Sequence, residues 1–292
     1  MDIVVQFNKG YNTTSHDAVT AVKKLFKVRK AGHAGTLDPL ATGVLLVCLN
    51  EATKITGYLS DLDKEYIVTA KLGESTDTYD SEGSITRRST AALVITRNEV
   101  EKTLSGFTGE IEQTPPMFSA IKMNGRPLYE LARKGIEVER KPRIVVVSSI
   151  EIMEFKMPYL RMRVSCSKGT YIRSLCNDIG DALGAGAHVT ELARTRIGDF
   201  TLENSAAIEE LPQKSEALHS IDAALKHLHE IRLNSDEYIR ARNGNPVSLK
   251  PDNGRKGDQG PFFVRLKNPE GSIFGIGKVA ANSIKIERLF KL

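Results

Sequence analysis

Strand-like and helix-like segments alternate irregularly along this chain, and their order constrains its fold more than any other feature. Apolar side chains at every second position predict a half-buried strand over residues 64–72, with Tyr66 turned inward. Strand-like runs at 143–155 and 160–166 are separated by a short turn segment, which is typical of an antiparallel hairpin. Because strict strand–helix–strand repetition is missing, we expect an α+β fold in which helices flank a mixed, largely antiparallel sheet.

Two predicted helices lie next to the segments that carry the functional motifs. Ser15 is expected to cap the first, whose apolar face is formed by Val19, Val22, Leu25 and Phe26. Thr170 is expected to cap the second, whose apolar stripe is formed by Ile172, Leu175, Ile179 and Leu183. Arg173 lies about 100° from this stripe, so it is either a solvated residue or reaches over the apolar edge towards a buried carboxylate.

The length of 292 residues favours one large domain with a small companion, and we place these at residues 1–232 and 233–292. Helix-forming residues dominate the composition from 211 to 231. The C-terminal part predicts a short helix at 235–242 and a strand that includes Phe262, Val264 and Leu266, which together indicate a small β-rich module. Residues 250–261, which lack large apolar side chains, predict a mobile loop.

Several classes of protein are disfavoured by simple features of the chain. Three widely spaced cysteines without a C-x-x-C pair indicate reduced thiols rather than disulfides or zinc ligands. His227 and His229 have no nearby cysteine or acidic ligand set, so a solvated helix face is preferred to a metal site. No apolar run approaches the roughly 18 residues of a membrane span, and the N-terminus has no leader pattern. We therefore expect a cytoplasmic protein without a metal or membrane association.

The most informative motif runs from Gly32 to Asn50 and reads GHAGTLDPLATGVLLVCLN. Its glycines permit tight turns, and Pro39 restricts Asp38 to an extended backbone, so a stiff loop presents the carboxylate. The plain interpretation is a surface turn that leads into a buried strand, with Asp38 bonded to its own backbone. The alternative interpretation is a catalytic acid placed on a rigid loop.

Basic residues are concentrated in two segments of a chain with a net charge of +5. One segment precedes the glycine-rich motif and contains Lys23, Lys24, Lys27, Arg29 and Lys30. The other contains Lys122, Arg126, Arg133, Lys134, Arg140, Lys141 and Arg143. Either segment alone is best explained as a solvated face. The two together make contact with a phosphate backbone as well supported as a solvated surface.

The motif Gly-His-x-Gly-x-Leu-Asp-Pro-x-Ala-x-Gly, followed by Glu51-Ala52-Thr53-Lys54, resembles the catalytic segment of the bacterial TruB family, the tRNA pseudouridine-55 synthases. Four further segments resemble that family in its order: Lys64-Glu65-Tyr66 with Leu72-Gly73, residues 114–122 with 125–133, Lys168-Gly169-Thr170-Tyr171-Ile172-Arg173, and residues 192–198. The C-terminal module resembles an RNA-binding PUA domain. One departure is the Lys-Pro-x-Gly-x-Thr-Ser segment of the family, since residues 9–15 here read KGYNTTS.

The resemblance implies a pseudouridine synthase fold and an enzyme that isomerises uridine 55 in the T-loop of tRNA without any cofactor or obligate protein partner. It implies catalytic roles for Asp38, Tyr66 and Arg173. His33, Tyr66, Tyr171 and Leu192 would bind the substrate, and Lys122, Arg126 and Arg133 would contact RNA. The departure at residues 9–15 puts the rigidity of the catalytic loop in doubt more than the reaction type.

The reaction breaks the bond between ribose C1′ and uracil N1, turns the base and joins C1′ to C5. A carboxylate at Asp38 could attack C1′ or could remove a ribose proton to form a glycal, and the sequence does not choose between these routes. Burial disfavours an ionised carboxylate, so we expect the Arg173 guanidinium to bond it through two parallel hydrogen bonds. Tyr66 offers a ring for stacking and a hydroxyl near C5, or is simply a core tyrosine.

The target base must be flipped out of a folded loop, at a cost of a few kcal/mol. His33, by filling the vacated space, and the basic segments, by binding phosphate, are suited to offset that cost. Two other functions remain open at this point. One is an RNA-binding or RNA-chaperone module whose catalysis is incidental or lost, and the other is a retaining glycosidase, which would need a second catalytic carboxylate.

Overall fold

The computed structural model describes residues 1–89, 94–123, 125–248, 260–280 and 282–292. Most of the loop predicted at 250–261 lies outside these residues. The described strands are, in chain order, β1 (Ile3–Lys9), β2 (Ala31–His33), β3 (Thr42–Leu49), β4 (Lys64–Leu72), β5 (Glu74–Thr76), β6 (Ile85–Arg88), β7 (Gly109–Gln113), β8 (Lys122–Met123), β9 (Arg126–Pro127), β10 (Arg143–Lys156), β11 (Tyr159–Cys166), β12 (Ala187–Ile197), β13 (Phe200–Thr201), β14 (Leu218–Ser220), β15 (His229–Arg232), β16 (Val247–Ser248), β17 (Phe262–Lys267), β18 (Ile273–Ala280) and β19 (Ser283–Leu289).

The described α-helices are α1 (Ser15–Leu25), α2 (Thr56–Ser60), α3 (Arg97–Ser105), α4 (Leu128–Ala132), α5 (Ile172–Ala182), α6 (Ile221–Ala224) and α7 (Ser235–Arg242). Short 3-10 helices lie at Asn50–Ile55, Leu202–Asn204 and Ser215–Ala217. Among the residues that the structure describes, none of these helices combines the length and the apolar character needed to cross a membrane.

A large sheet has the strand order β14-β1-β3-β12-β4-β11-β10-β7, with β2 paired to β3 and β13 paired to β12. Its neighbouring strands are antiparallel except for β3 and β12, which are parallel. The predicted hairpin is present, since β10 and β11 pair antiparallel on both sides of the turn at 157–158. The expected α+β fold with a mixed, largely antiparallel sheet is therefore confirmed.

A second sheet has the order β15-β17-β18-β19-β16 and forms the β-rich C-terminal module. The predicted helix at 235–242 and the strand through Phe262, Val264 and Leu266 are both present in it. The helix-forming composition of residues 211–231 was misleading, because that stretch contains only a 3-10 turn, the four-residue α6 and short strands.

The large sheet is buried on both faces where β1 and β3 lie. Leu45, Val47 and Leu49 of β3 point into one hydrophobic cluster, while the intervening Val44, Leu46 and Cys48 point into another. Ile276 and Phe290 of the C-terminal module belong to that second cluster. The continuous apolar run of β3 therefore follows from double-sided burial, and the module packs against the second face.

Both predicted helix caps differ from those in the structure. Thr14, not Ser15, caps α1, where it forms a capping box with Asp17. Ser15 is instead buried and hydrogen-bonded to the backbone of Leu37. Tyr171 occupies the cap position of α5 without a side-chain bond, and the Thr170 hydroxyl donates to the Ser167 carbonyl.

Candidate active site

The loop between β2 and β3 carries Asp38, and hydrogen bonds from three directions hold it. Ser15 Oγ accepts from Leu37 N at 2.8 Å and donates to Leu37 O at 2.9 Å. Asn12 N donates to Pro39 O at 2.9 Å, and the buried Lys9 Nζ reaches the same carbonyl at 3.3 Å. Residues 9–15 therefore support the loop that carries Asp38.

The departure from the family pattern at residues 9–15 is compatible with this geometry. Asn12 stands where the family has glycine, and its φ of 55° lies in the left-handed region. Asparagine tolerates that region better than most residues, so the turn is retained without glycine. Lys9 Nζ also donates to Gly10 O and Thr13 O, and burial lowers the pKa of Lys9 to about 8.

Arg194 of β12 holds the other side of the loop. This arginine is fully buried and donates to the carbonyls of Val44, Gly35 and Thr36. Gly43, at a φ of 103°, packs so closely on the Arg194 backbone that a Cβ atom would overlap it. The loop is therefore clamped between β12 and the segment before α1.

Arg173, in the first turn of α5, contacts Asp38 directly. Its Nε lies 2.8 Å from Asp38 Oδ2, and its side chain is buried, whereas that of Asp38 is 32% exposed. The arginine therefore reaches over the helix edge to a carboxylate. The expected pair of parallel bonds to Asp38 is wrong, because Nη1 donates to Thr78 O and Asp80 Oδ2 and Nη2 donates to Phe118 O.

Asp80 is a second carboxylate in the site that the sequence reasoning missed. Its Oδ2 lies 3.1 Å from Arg173 Nη1, and its Oδ1 accepts from Thr78 Oγ1 and Glu82 N. Its side chain is only 4% exposed, so it is a fixed counter-charge for the arginine. Asp80 follows strand β5 in a polar loop, a position without a motif that would have identified it.

A cavity of about 600 Å³ opens beside Asp38, and its wall includes Tyr66, Tyr171, Leu192 and Arg173. Tyr66 is buried on β4 and faces inward, as predicted, and burial raises the pKa of its hydroxyl. Burial also raises the pKa of Tyr171. Both phenols are therefore neutral at physiological pH, and they give the cavity flat, uncharged surfaces beside Asp38.

His33 lies on the other side of Asp38. It lines a second cavity of about 480 Å³ that shares Asp38, Arg173, Ser119 and other residues with the first. Burial lowers the pKa of His33, so the ring is neutral at pH 7. His33 Nδ1 is buried without a hydrogen-bond partner. The structure thus brings five of the six predicted catalytic and substrate-binding residues around the first cavity, and the sixth, His33, lines the second cavity together with Asp38.

The predicted RNA-contacting residues lie on the insertion between β7 and β10. Lys122 and Arg126 are exposed on the small β8–β9 hairpin. Arg133 follows α4, stacks over the Tyr129 ring at 5.5 Å and lines the second cavity. Of these three cations, only Arg133 lines a cavity that also includes Asp38.

The arrangement can stabilise an ionised carboxylate beside a flat, mostly apolar cavity. That combination suits nucleophilic attack or proton removal at a sugar next to an uncharged base. Among the described residues, no group of three or more His, Cys, Asp or Glu side chains is placed to hold a metal ion.

Sequence comparisons connect this site to known proteins. A family model described as TruB family pseudouridylate synthase, N-terminal domain, matches residues 23–172, and one described as tRNA pseudouridylate synthase B C-terminal domain matches residues 173–231. The chain is 49% identical over 254 residues to tRNA pseudouridine synthase B of Dechloromonas aromatica, which covers 85% of this chain and 84% of the relative. It is 41% identical over 291 residues to the Clostridium tetani protein of the same name, which covers 99% of both.

Structural comparisons extend the similarity to solved complexes. A chain of an H/ACA RNP bound to a substrate RNA containing 2′-deoxyuridine has a TM-score of 0.72 at 25% identity, over 99% of this chain and 85% of that chain. A chain of a Cbf5-Nop10-Gar1 complex has a TM-score of 0.73 at 26% identity, over 98% of this chain and 84% of that chain. Because nearly the whole chain is covered, the similarity includes both sheets.

Proposed function

We propose that this chain, which belongs to the TruB family of pseudouridylate synthases, converts the uridine at position 55 in the T-loop of tRNA to pseudouridine. The protein is a tRNA pseudouridine synthase, an isomerase. The observation that carries the proposed mechanism is the hydrogen bond between Arg173 Nε and Asp38 Oδ2, since both residues line a cavity whose wall also contains the neutral Tyr66.

The proposed reaction is an isomerisation in which the same uracil leaves and rejoins the same ribose. The C1′–N1 bond breaks, the base turns, and C1′ bonds to C5. The hydrogen on C5 then leaves as a proton, and N1 is protonated. Because every atom of the product except exchangeable protons comes from the substrate, no cofactor is required.

Asp38 is proposed to act on the ribose, either as the nucleophile at C1′ or as the base that generates a glycal. Its single bond to Arg173 leaves the other carboxylate oxygen available to the substrate. Asp80 is a poor candidate for a second catalytic carboxylate, because both of its oxygens are engaged with Arg173, Thr78 or Glu82. That engagement removes Asp80 as the second working carboxyl group that a glycosidase mechanism needs.

Tyr66 is proposed to stack on uracil and to relay the proton that leaves C5. The ring is buried in the wall of the cavity, and burial raises the pKa of its hydroxyl, so the hydroxyl is protonated. Its oxygen can therefore take the C5 proton only as its own proton passes on to solvent, which leaves the tyrosine unchanged by the step. Tyr171 and Leu192 would pack with Tyr66 against the base. These three side chains suit an uncharged uracil, because they offer no partner to a charged group.

Base flipping is proposed to precede chemistry. His33, neutral and across Asp38 from the uracil cavity, would occupy the space that the flipped nucleotide leaves in the T-loop. Lys122, Arg126 and Arg133 would bind phosphates of the T-arm. The smaller domain, placed at residues 233–292 from the sequence, is proposed to be an RNA-binding module that adds contacts with tRNA without chemical groups. Its sheet also includes β15 (His229–Arg232), which immediately precedes that boundary. The protein is further proposed to act in the cytoplasm without an obligate protein partner.

Tritium release from tRNA transcripts labelled at uracil C5 tests the proposed function. The wild-type protein is expected to release one tritium per tRNA, and a transcript with cytidine at position 55 should release none. The variant Asp38→Asn should show no turnover while its affinity for tRNA stays within several-fold of wild type, because most affinity comes from phosphate contacts. Release from the cytidine transcript would refute the position, and turnover by Asp38→Asn would remove Asp38 from its role.

A further inference from the structure

An exposed ion pair joins two loops that line the uracil cavity. Lys168 Nζ lies 2.8 Å from Asp61 Oδ1, and both side chains are 60% exposed. Asp61 follows α2, and Lys168 lies between β11 and α5, so the pair links segments that are far apart in the sequence. Both residues line the same cavity as Asp38 and Tyr66. Their exposure places the pair at the solvent-facing edge of that cavity.

Hydrogen bonds fix the backbones of both loops, so the ion pair is not needed to shape them. The buried Lys64 Nζ donates to the carbonyls of Ser60 and Leu62, on either side of Asp61. The Asp61 amide bonds to Gly57 O at the end of α2. On the opposite side, Ser167 pairs with Val146 through its amide and its hydroxyl. The side chains of Asp61 and Lys168 are therefore free to change partner while the loops stay in place.

Electrostatics decide which RNA group would meet this edge. A phosphate is too strongly hydrated to follow a uracil between the side chains of Tyr66, Tyr171 and Leu192, so it stays at the entrance when the base enters. At that entrance the Asp61 carboxylate repels the phosphate and the Lys168 ammonium attracts it. Exposed ion pairs contribute little free energy in water, so Lys168 can exchange the Asp61 carboxylate for a phosphate oxygen at a small cost in free energy.

We infer that Lys168 binds a backbone phosphate at or next to the flipped uridine, and that Asp61 pairs with Lys168 in the RNA-free protein until this phosphate takes the place of the Asp61 carboxylate. The inference rests on the proposed function for the identity of the RNA. Asp61 acts through Lys168 and is a positioning residue. Removing its charge should therefore strengthen RNA binding, although the change breaks a salt bridge.

A double-mutant cycle with Asp61→Asn and Lys168→Met tests the exchange, with a T-arm stem-loop RNA as the probe in a binding titration. Asp61→Asn should lower the Kd about two- to five-fold, which corresponds to the worth of an exposed ion pair. Lys168→Met should raise the Kd about five-fold and reduce the slope of log K against log salt by about 0.7–0.9, as expected for one lost phosphate contact. Lys168→Arg should retain most of the affinity.

The double variant separates exchange from a general effect of charge. Asp61→Asn makes the protein less acidic near a polyanion whether or not Lys168 is present, whereas release of the lysine requires the lysine. In the Lys168→Met background, Asp61→Asn should therefore change the Kd by less than about 1.5-fold. Glu151→Gln is the matched control, because its pair with Arg163 has the same 2.8 Å distance and similar exposure but lies outside the cavity.

Equal effects of Asp61→Asn in both backgrounds would overturn the inference, as would weaker binding by that variant or an unchanged salt slope for Lys168→Met. A lower melting temperature for Asp61→Asn with unchanged RNA binding would identify the pair as merely structural. Turnover by the same variants adds a readout, since the change should appear in KM more than in kcat. Failure of wild-type turnover at uridine 55 would refute the proposed function, whereas the binding cycle decides the exchange separately.

Discussion

Replacement of Arg173 with lysine tests how the site keeps Asp38 in place. Lysine retains the positive charge, but its chain places a carbon, Cε, where arginine has Nε. Arg173 uses Nε for its bond to Asp38 Oδ2. The substitution therefore removes this bond while it keeps the charge, and the ammonium lies near the former position of the guanidinium carbon.

The contacts that Arg173→Lys would lose set the expected decrease in turnover and in stability. One charge-assisted bond is worth about 1.5–3 kcal/mol, which corresponds to a loss of about ten- to a hundred-fold in kcat. The ammonium also lies farther from the carbonyls of Thr78 and Phe118, which now accept from Nη1 and Nη2 at 2.8 Å. Buried carbonyls without donors should lower the free energy of unfolding by about 1–3 kcal/mol each.

The assay is single-turnover tritium release with saturating tRNA, at a temperature below the melting temperature of the variant. Under these conditions the rate reports the chemical step and is not affected by unfolding of the variant. Arg163→Lys is the control, since Arg163 forms an exposed pair with Glu151 and should change neither rate nor stability. A wild-type rate for Arg173→Lys would show that the Nε bond contributes nothing to turnover, and the explanation of the site from this contact would then be wrong.

Two further substitutions test the support of the catalytic loop. Gly43→Ala should destabilise the protein by several kcal/mol or prevent folding, because its φ of 103° and the Arg194 backbone leave no room for a Cβ atom; a melting temperature equal to wild type would contradict this. Burial lowers the pKa of Lys9 to about 8 from an ordinary value of 10.5, so between these values the unfolded chain binds more protons and stability rises with pH. Urea unfolding at pH 8 to 10 measures this rise in the free energy of unfolding. The free energy of the wild-type protein should increase with pH by up to about 1.4 kcal/mol per pH unit more than that of Lys9→Met. An equal pH dependence of the two proteins would show that Lys9 titrates normally when folded.

Local patterns in the sequence predicted most of the secondary structure around the site. The alternation of apolar residues identified β4 and the inward direction of Tyr66, and the two long strand-like runs identified the β10–β11 hairpin. These predictions succeeded because side-chain periodicity reflects which face of a strand is buried. Composition was a poorer guide for residues 211–231, where helix-forming residues occur in the short helix α6 and in strands β14 and β15, which pair with the two sheets.

The motifs identified the chemical groups but not all of their partners. Asp38, Tyr66 and Arg173 lie in segments that resemble the family, and the structure brings them to one cavity. Asp80 lies 93 residues from Arg173 in the chain and carries no motif, so only the folded structure reveals their bond. Arg194 likewise belonged to a recognised segment, but its clamp on the loop depends on the parallel pairing of β12 with β3.

The sequence by itself determined the class of fold, the reaction family and most of the predicted residues that line the cavity, because periodicity, glycine geometry and motifs can be read from the chain without its tertiary contacts. Tertiary structure alone decided how the charges in the site are shared and how the C-terminal module is placed. Arg173 divides its donors among Asp38, Asp80 and two carbonyls, and Ile276 and Phe290 of the module complete a core beneath β3. Both outcomes depend on atoms from distant segments that meet only when the sheet assembles, so no local pattern could specify them.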